Sequence, residues 1–206
     1  MTHPFRDLAA FPTVAKSGTQ YRCVQVAYQD TPLFYGASGS NRFDLNPHSA
    51  HGTCYAADTE HGALLETVFR DVEPTGQLGV APVLPPAVAD KYRMFTFDAD
   101  WDEMADLTGN PAADTHTAFG VTDAIGADTN YESPQQWAQA FHANALSGIR
   151  YRLRHSNGLL GSARFHAAGG YPAEGEFDEL TAANIEAWYG GIVGAPALNE
   201  LAVEEL

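Results

Sequence analysis

Hydrophobic and polar positions alternate in several short runs of this chain, and that alternation predicts β-strands. Two of these runs, QYRCVQVAY at 20–28 and KYRMFTF at 91–97, are also rich in residues that favour strands. GTCYAA at 52–57 has the pattern of a short buried strand. GIRYRL at 148–153 and GSARFHA at 161–167 predict a pair of strands joined by a turn at HSNG. These five runs are the strands of the predicted fold.

Helical spacing of apolar residues appears between the strand runs. Asp58 or Thr59 can cap a helix over about 59–70, whose apolar residues fall on one face. A second helix starts near Ser133, and a C-terminal helix is expected over about 178–190. Because strands and helices mix without regular alternation, the sequence predicts an α+β fold.

The length of 206 residues suits one domain, 1–206, with an irregular insertion at about 98–132. Within that insertion DADWDEMADL can form a short helix. No stretch is apolar over the 18 or so residues that a membrane span needs, and no membrane association is expected. The amino-terminal segment lacks the cationic and apolar parts of a secretory signal, so the expected compartment is the cytoplasm.

The charge is strongly negative, with 26 acidic and 11 basic side chains and a formal net charge of -15. Such a surface repels polyanions in general, and direct binding to nucleic acid is not expected. A small anionic ligand remains compatible with this charge if a few arginines gather in one pocket. The arginines that lie close together in sequence are Arg150, Arg152, Arg154 and Arg164.

Metal-ligating residue types crowd into a short segment that contains His48, His51, Cys54, Asp58 and His61. Their number suggests zinc, but their spacing is not that of a zinc finger and the H-E-x-x-H pair is missing. No metal site is therefore expected, and a metal-dependent hydrolase is the least favoured of the function classes considered.

Arg42, Tyr55 and Glu66 fall on three successive predicted elements, and together they suit a nucleotide. An arginine fork matches phosphate oxygens, a tyrosine offers a flat face, and a carboxylate can stabilise positive charge on a ribose as a glycosidic bond breaks. The residue types alone leave a second interpretation open. Arg42 would then belong to a solvated loop, Tyr55 to the core and Glu66 to the surface.

The order of several segments closely resembles the RES domain family. The segments are YRCVQV, PLFYGASGSNRFD, GTCYAADTEHGALLETVF, and GIRYRLRH followed by GSARF, and they cover about residues 20–167. The resemblance implies an ADP-ribosyltransferase-type fold and a toxin of a toxin–antitoxin pair, neutralised by an Xre-like helix-turn-helix partner. It also implies NAD as the substrate, without a cofactor. The nicotinamide–ribose bond would be cleaved by hydrolysis, phosphorolysis or ADP-ribosyl transfer.

The resemblance also assigns residue roles. Arg42 matches the arginine of the family's RF motif, Tyr55 the tyrosine of its YxA strand and Glu66 the glutamate of its ALxE helix, and these three are the expected catalytic residues. The expected substrate-binding residues are Arg22, Tyr35, Leu153 and Arg154.

One position departs from the family pattern, because Leu153 stands where the family usually has a serine. Leucine offers no hydrogen bond. Strand alternation places Leu153 beside Tyr151 on a core face, whereas the family register places it in the pocket, and we expect the pocket. Because of this leucine, the main alternative to an NAD-cleaving enzyme is a catalytically degenerate RES-like module that binds NAD or another nucleotide. The acceptor and a homodimeric state are left open.

Overall fold

A computed structural model describes residues 8, 11–47, 49–68, 89–108, 131–153 and 156–190 of the chain. The strands in these ranges are β1 (Thr13–Gln25), β2 (Leu33–Tyr35), β3 (His51–Ala57), β4 (Tyr92–Asp106), β5 (Gly148–Leu153), β6 (Ser156–Ala167), β7 (Gly169–Tyr171) and β8 (Glu176–Glu179). The α-helices are α1 (Glu60–Thr67), α2 (Glu132–Ala143) and α3 (Ala182–Gly190), and a 3-10 helix (Val26–Tyr28) follows β1. The mixture confirms the predicted α+β class.

Six strands form one mixed sheet in the order β1-β3-β6-β5-β4-β8, in which only the β4–β5 pair is parallel among the described strands. Because β1 also pairs with β4, five of the strands close into a circuit of hydrogen bonds. The two remaining short strands, β2 and β7, form a separate antiparallel ribbon.

Alternation along the strands sends side chains to opposite sides of the circuit. Cys23 and Met94 belong to a large cluster that also receives the apolar faces of α1 and α2. Their neighbours Val24 and Phe95 belong to a smaller aromatic cluster. Since the helices pack against the outer face, the smaller cluster fills the inside of the circuit.

Helix α1 is held close to the sheet at its first turn. Thr59 caps the helix, as predicted, by accepting a hydrogen bond from the amide of Gly62 at 3.0 Å. A side chain at Gly62 would lie 2.9 Å from the Cβ of Ala57 and 3.0 Å from Leu153 Cδ1. Because only glycine fits this contact, α1 can lie against β3 and β5 and carry Glu66 along their surface.

The predicted irregular insertion at about 98–132 is wrong over its first part, where DADWDEMADL is strand and not helix. β4 runs on to Asp106, with Phe97, Ala99 and Trp101 buried while Asp98 and Asp100 are exposed. The alternation of apolar and acidic residues is a strand pattern, and it outweighs the low strand preference of aspartate. Residues 109–130 lie outside the described ranges.

Several element ends also differ from the prediction. β1 begins at Thr13 rather than near residue 20, because it pairs with β4 along its whole length. Glu176–Glu179 extends the sheet as β8, so the C-terminal helix begins at Ala182 and not near 178. β6 begins at Ser156, and the predicted HSNG turn is therefore partly strand.

No helix in the part of the chain that the structure describes is long and apolar enough to span a membrane.

Candidate active site

A cavity of about 430 Å³ lies where β1, the loop before β3, the end of α1 and β5 meet. The charged side chains in its wall, among the described residues, are Arg22, Arg42 and Glu66. Tyr55 lines the same cavity. Four of the predicted site residues, which are up to 44 positions apart in sequence, are thus brought together in one concave site.

Arg42 lies in the loop that leads from β2 to β3. Its guanidinium carbon is 5.6 Å from the ring centroid of Phe43 and 5.7 Å from that of Tyr151. The Nε of Arg42 is buried and finds no hydrogen-bond partner among the described residues. A buried donor without a partner is costly, and a charged one can be satisfied by an anionic oxygen of a ligand. The position therefore favours binding of a phosphate or a ribose hydroxyl.

The hydroxyl of Tyr55 is occupied by the loop that carries Arg42. It donates to Asp44 Oδ1 at 3.0 Å and accepts from the amide of Phe43 at 2.9 Å. Burial raises the pKa of Tyr55 well above its usual value, and the Asp44 carboxylate adds to that shift. The hydroxyl therefore stays protonated and fixes the residues next to Arg42. Only the ring of Tyr55 is left to contact a ligand.

Glu66 is half-buried near the end of α1 and accepts a hydrogen bond from the hydroxyl of Tyr151 at 3.0 Å from Oε2. Burial raises the pKa of Tyr151 well above its usual value, with the nearby Glu66 charge as the next cause. Tyr151 therefore remains a donor at neutral pH and orients the carboxylate. Its ring also lies beside Arg42, so one tyrosine contacts both charged groups.

Tyr151 is a site residue that the sequence analysis missed. Strand alternation predicts Tyr151 only as a neighbour of Leu153 on the core face of its strand. Its position in the GIRYRLRH segment, within the resemblance to the family, was the available signal. Only the structure shows that its hydroxyl reaches Glu66 on another element.

Arg22 lies on β1 and lines the cavity. One terminal nitrogen donates to the thiol of Cys54, and its Nε is buried without a partner among the described residues. Cys54 is fully buried, and burial raises its pKa, so the thiol is not activated as a nucleophile. Arg22 is thus a second guanidinium whose hydrogen bonds the described residues do not complete.

One of the other predicted substrate-binding residues lies away from the cavity. Tyr35 is buried outside the cavity wall and packs against the rings of His166 at 5.1 Å and Tyr171 at 5.5 Å. Burial raises the pKa of Tyr35 to about 12. Arg154 lies outside the described residues.

The expectation that Leu153 faces the pocket is wrong. Its side chain is 2% exposed, belongs to the large core cluster, and is absent from the cavity wall. Strand alternation decides its direction: Leu153 points to the helix side, where its Cδ1 approaches Gly62 of α1. The hydroxyl that reaches Glu66 comes from Tyr151, two positions earlier on the same face.

Three of the four arginines that are close together in sequence lie outside the cavity wall. Arg150 forms an ion pair with Asp58, and Arg152 and Arg164 donate to backbone carbonyl groups. None of these three lines the cavity. The guanidinium groups of the site come instead from two arginines that are 20 positions apart, Arg22 and Arg42.

The described potential metal ligands of the segment from His51 to His61 do not converge on one point. The ring of His51 lies 4.6 Å from that of His142 on α2. Within the described residues, no three histidine, cysteine or acidic side chains lie close enough to hold a metal ion. His48 lies outside those ranges.

The described residues thus form a small α+β domain whose cavity combines guanidinium groups, aromatic rings and a carboxylate that accepts a hydrogen bond from a tyrosine hydroxyl. The comparison with protein families is more specific. The profile of the RES domain matches residues 19–160, well over half of the chain, and the chain therefore belongs to the RES domain family.

The fold is similar to that of a chain in the crystal structure of the M. tuberculosis MbcT–MbcA toxin–antitoxin complex, with a TM-score of 0.67. The two sequences are 19% identical, and the match covers 90% of this chain and 96% of the other. At that identity the likeness concerns the fold. No curated protein matches the sequence significantly.

Proposed function

We propose that this protein is a toxin of a toxin–antitoxin pair that degrades cytoplasmic NAD by cleaving the bond between nicotinamide and ribose. The observation that carries the proposal is the arrangement of Arg42, Tyr151 and Glu66 in one cavity wall. Tyr151 contacts the other two, with its hydroxyl 3.0 Å from Glu66 and its ring 5.7 Å from the guanidinium carbon of Arg42. Membership of the RES domain family and the likeness to a chain of a toxin–antitoxin complex support the toxin role.

Glu66 is assigned the central chemical role. As the bond between ribose C1 and the pyridinium nitrogen breaks, both electrons leave with nicotinamide, which becomes neutral. The ribose then carries positive charge, which a fixed carboxylate stabilises more strongly than water does, because it needs no reorientation. Tyr151 holds that carboxylate in place, and it acts as a positioning residue.

The two arginines are assigned to the anionic part of NAD. The diphosphate offers oxygen atoms that match the Nε–H groups of Arg22 and Arg42, for which the described residues provide no acceptor. In a protein of net charge -15, the locally cationic wall selects an anion that the rest of the surface repels. Binding at the diphosphate would also align the nicotinamide ribose with Glu66.

The oxocarbenium ion is captured by water, which loses a proton and gives ADP-ribose, or by phosphate or a protein side chain. The products distinguish these acceptors. Phosphorolysis requires added phosphate and gives a phosphorylated ADP-ribose, whereas transfer to a protein leaves a covalent adduct.

The proposed partner is an Xre-like helix-turn-helix antitoxin that covers the cavity. Recognition of DNA would belong to that partner, because the acidic chain described here repels the DNA backbone. Co-expression with the neighbouring gene should give a stable complex that does not consume NAD. Tight DNA binding by this protein alone would count against the assignment.

A catalytically degenerate binding module is the second candidate, and it is favoured because no serine lines the cavity among the described residues, although the family pattern includes one. Incubation of the purified protein with NAD, followed by chromatography for free nicotinamide, separates the two. The proposed enzyme releases nicotinamide in step with the loss of NAD. A binding module would leave NAD uncleaved, and NAD would still raise the melting temperature of the protein by binding to its folded state.

A further inference from the structure

We propose that Tyr28 and Phe34, which we call the aromatic rim, form a second subsite of the cavity that binds the planar heteroaromatic base at the far end of the dinucleotide. The inference rests on the proposed function. It assigns the adenine-type ring of the substrate to residues that neither the sequence motifs nor the family resemblance singled out.

The two rings of the aromatic rim are the most exposed large hydrophobic side chains among the described residues. Tyr28 is 51% exposed and Phe34 is 46% exposed. Their rings lie 6.1 Å apart between centroids at an interplanar angle of 24°, and both residues line the cavity that contains Glu66. A pair of large exposed rings at the wall of a cavity is typical of a ligand-binding surface.

The backbone holds the aromatic rim in place before a ligand arrives. Tyr28 ends the 3-10 helix, and its carbonyl accepts from the amide of Thr31 at 3.1 Å in the turn that leads to β2. Phe34 lies in the middle of β2, opposite Gly170 of β7. A side chain at Gly170 would lie 2.7 Å from Thr31 Oγ1, so β7 packs tightly under this turn. Such preorganisation lowers the entropy cost of binding.

The composition of the cavity wall identifies the class of ligand. Arg22 shares the wall with the aromatic rim, and its buried Nε has no partner among the described residues. A ligand that satisfies both features has a flat ring with an anionic linker attached. A nucleotide base joined to a diphosphate meets this description, since base–aromatic stacking depends on the π-face of the ring and the guanidinium binds phosphate oxygens.

Two ligands allow binding at the two ends of the cavity to be measured separately. ADP-ribose carries the base and the diphosphate but lacks nicotinamide, whereas nicotinamide mononucleotide carries nicotinamide, ribose and one phosphate but lacks the second base. Titration calorimetry should show that Phe34→Ala and Tyr28→Ala each weaken ADP-ribose binding by about 5- to 100-fold, the usual range for loss of one stacking ring. Binding of nicotinamide mononucleotide should change less than about twofold.

Conservative and matched variants make the test specific. Tyr28→Phe keeps a ring and should keep wild-type affinity for ADP-ribose. Phe177→Ala is the matched control, because Phe177 is also an exposed ring, at 36%, but it stacks on Phe95 at 4.7 Å and does not line the cavity. Its removal should leave both affinities unchanged.

The outcomes for this subsite and for the proposed function are distinct. Unchanged ADP-ribose affinity in Phe34→Ala and Tyr28→Ala would overturn the subsite, and would leave the rim for a protein partner, even if the wild type releases nicotinamide from NAD. Loss of affinity in these variants with no nicotinamide release by the wild type would support the subsite and reject the enzyme. A wild type that binds neither ligand would overturn both.

Discussion

Two groups of polar side chains in the described residues are each built around arginine. The inner network consists of Gln20, Asp58, Arg150 and Ser162. There Arg150 pairs with Asp58 and donates to Ser162 at 2.7 Å, while Gln20 donates to Asp58 at 2.6 Å. The other group is the cavity wall, where Arg22 and Arg42 keep buried Nε–H groups that no described residue accepts.

The difference shows how a structural arginine is distinguished from a ligand-binding one. Arg150 is 5% exposed and both of its terminal nitrogens donate within the protein, so it has little left to offer a ligand. Arg42 is less buried, and its guanidinium lies against two rings rather than against a carboxylate. Incomplete hydrogen bonding beside a cavity, more than burial or sequence proximity, therefore marks the arginines that we assign to the substrate.

The largest expected effect on stability is at Leu153, on the structural side of this comparison. Leu153→Ser removes buried methyl groups beside Gly62 and inserts a hydroxyl into the core, and it should lower the free energy of unfolding by about 4 kcal/mol. NAD turnover per folded molecule should not rise. Urea unfolding and nicotinamide release measured on the same preparation check this.

Leu153→Met is the control for this prediction, because it keeps the volume and should cost less than about 1.5 kcal/mol. A Leu153→Ser protein that is as stable as the wild type and turns over NAD faster would show that the side chain at position 153 faces the cavity.

The inner network should also be needed for stability. Arg150→Met removes the guanidinium that donates to Asp58 and Ser162, and it should lower the free energy of unfolding by about 3 kcal/mol, at the low end for buried pairs because the Asp58 side chain is 29% exposed. Arg42→Met, in contrast, should change stability by only about 1 kcal/mol. Equal losses of stability in Arg150→Met and Arg42→Met would contradict the distinction between a structural and a ligand-binding group of polar side chains.

Arg42→Lys tests the ligand side of the comparison. A lysine keeps the charge but loses the planar fork, and the affinity for ADP-ribose should fall by about tenfold, since a hydrogen bond to a charged group contributes about 1.5 kcal/mol or more. Arg152→Lys is a matched control, as Arg152 lies outside the cavity and donates to the carbonyl of Thr108 at 2.9 Å. Calorimetry should find the same ADP-ribose affinity in Arg152→Lys as in the wild type. A similar fall in affinity in this control would mean that the effect of Arg42→Lys does not arise at the cavity.

Tyr151→Phe should give an effect of similar size on the catalytic step. It removes the donor to Glu66 without changing the ring beside Arg42, and kcat for NAD should fall by about tenfold with KM nearly constant. Tyr55→Phe should behave differently, because its hydroxyl holds the residues next to Arg42, and there KM should rise more than kcat falls. Steady-state kinetics that show the same pattern in both variants would reject separate roles for the two tyrosines.

Much of the fold could be predicted from the sequence because its strands obey simple alternation. The strand at 52–57, the Thr59 cap and the strand at 148–153 are all confirmed. β4 was predicted too short, because the acidic residues of DADWDEMAD suggested an insertion although their alternation with Ala99 and Trp101 is a strand pattern. Strand pairing between β1 and β4, which sets the length of both, is not visible in either segment alone.

The candidate site was predictable only in part. The residue types of Arg42 and Glu66 suggested their chemistry, and the family resemblance assigned their roles. Whether an arginine has its hydrogen bonds completed depends on which distant side chains reach it, and sequence spacing does not contain that information. For this reason Arg150 was grouped with possible anion-binding residues, and Tyr151 was assigned to the core.

The most direct test of the central claim compares two glutamates on the same helix. Glu66→Gln removes the charge that faces the cavity, and Glu60→Gln removes a charge from the first turn of α1, outside the cavity wall. With both variants melting like the wild type, nicotinamide release from NAD should fall by about a hundredfold or more in Glu66→Gln, the size expected for one preorganised electrostatic group, and stay unchanged in Glu60→Gln. Wild-type nicotinamide release by Glu66→Gln would contradict the claim that this cavity cleaves the nicotinamide–ribose bond.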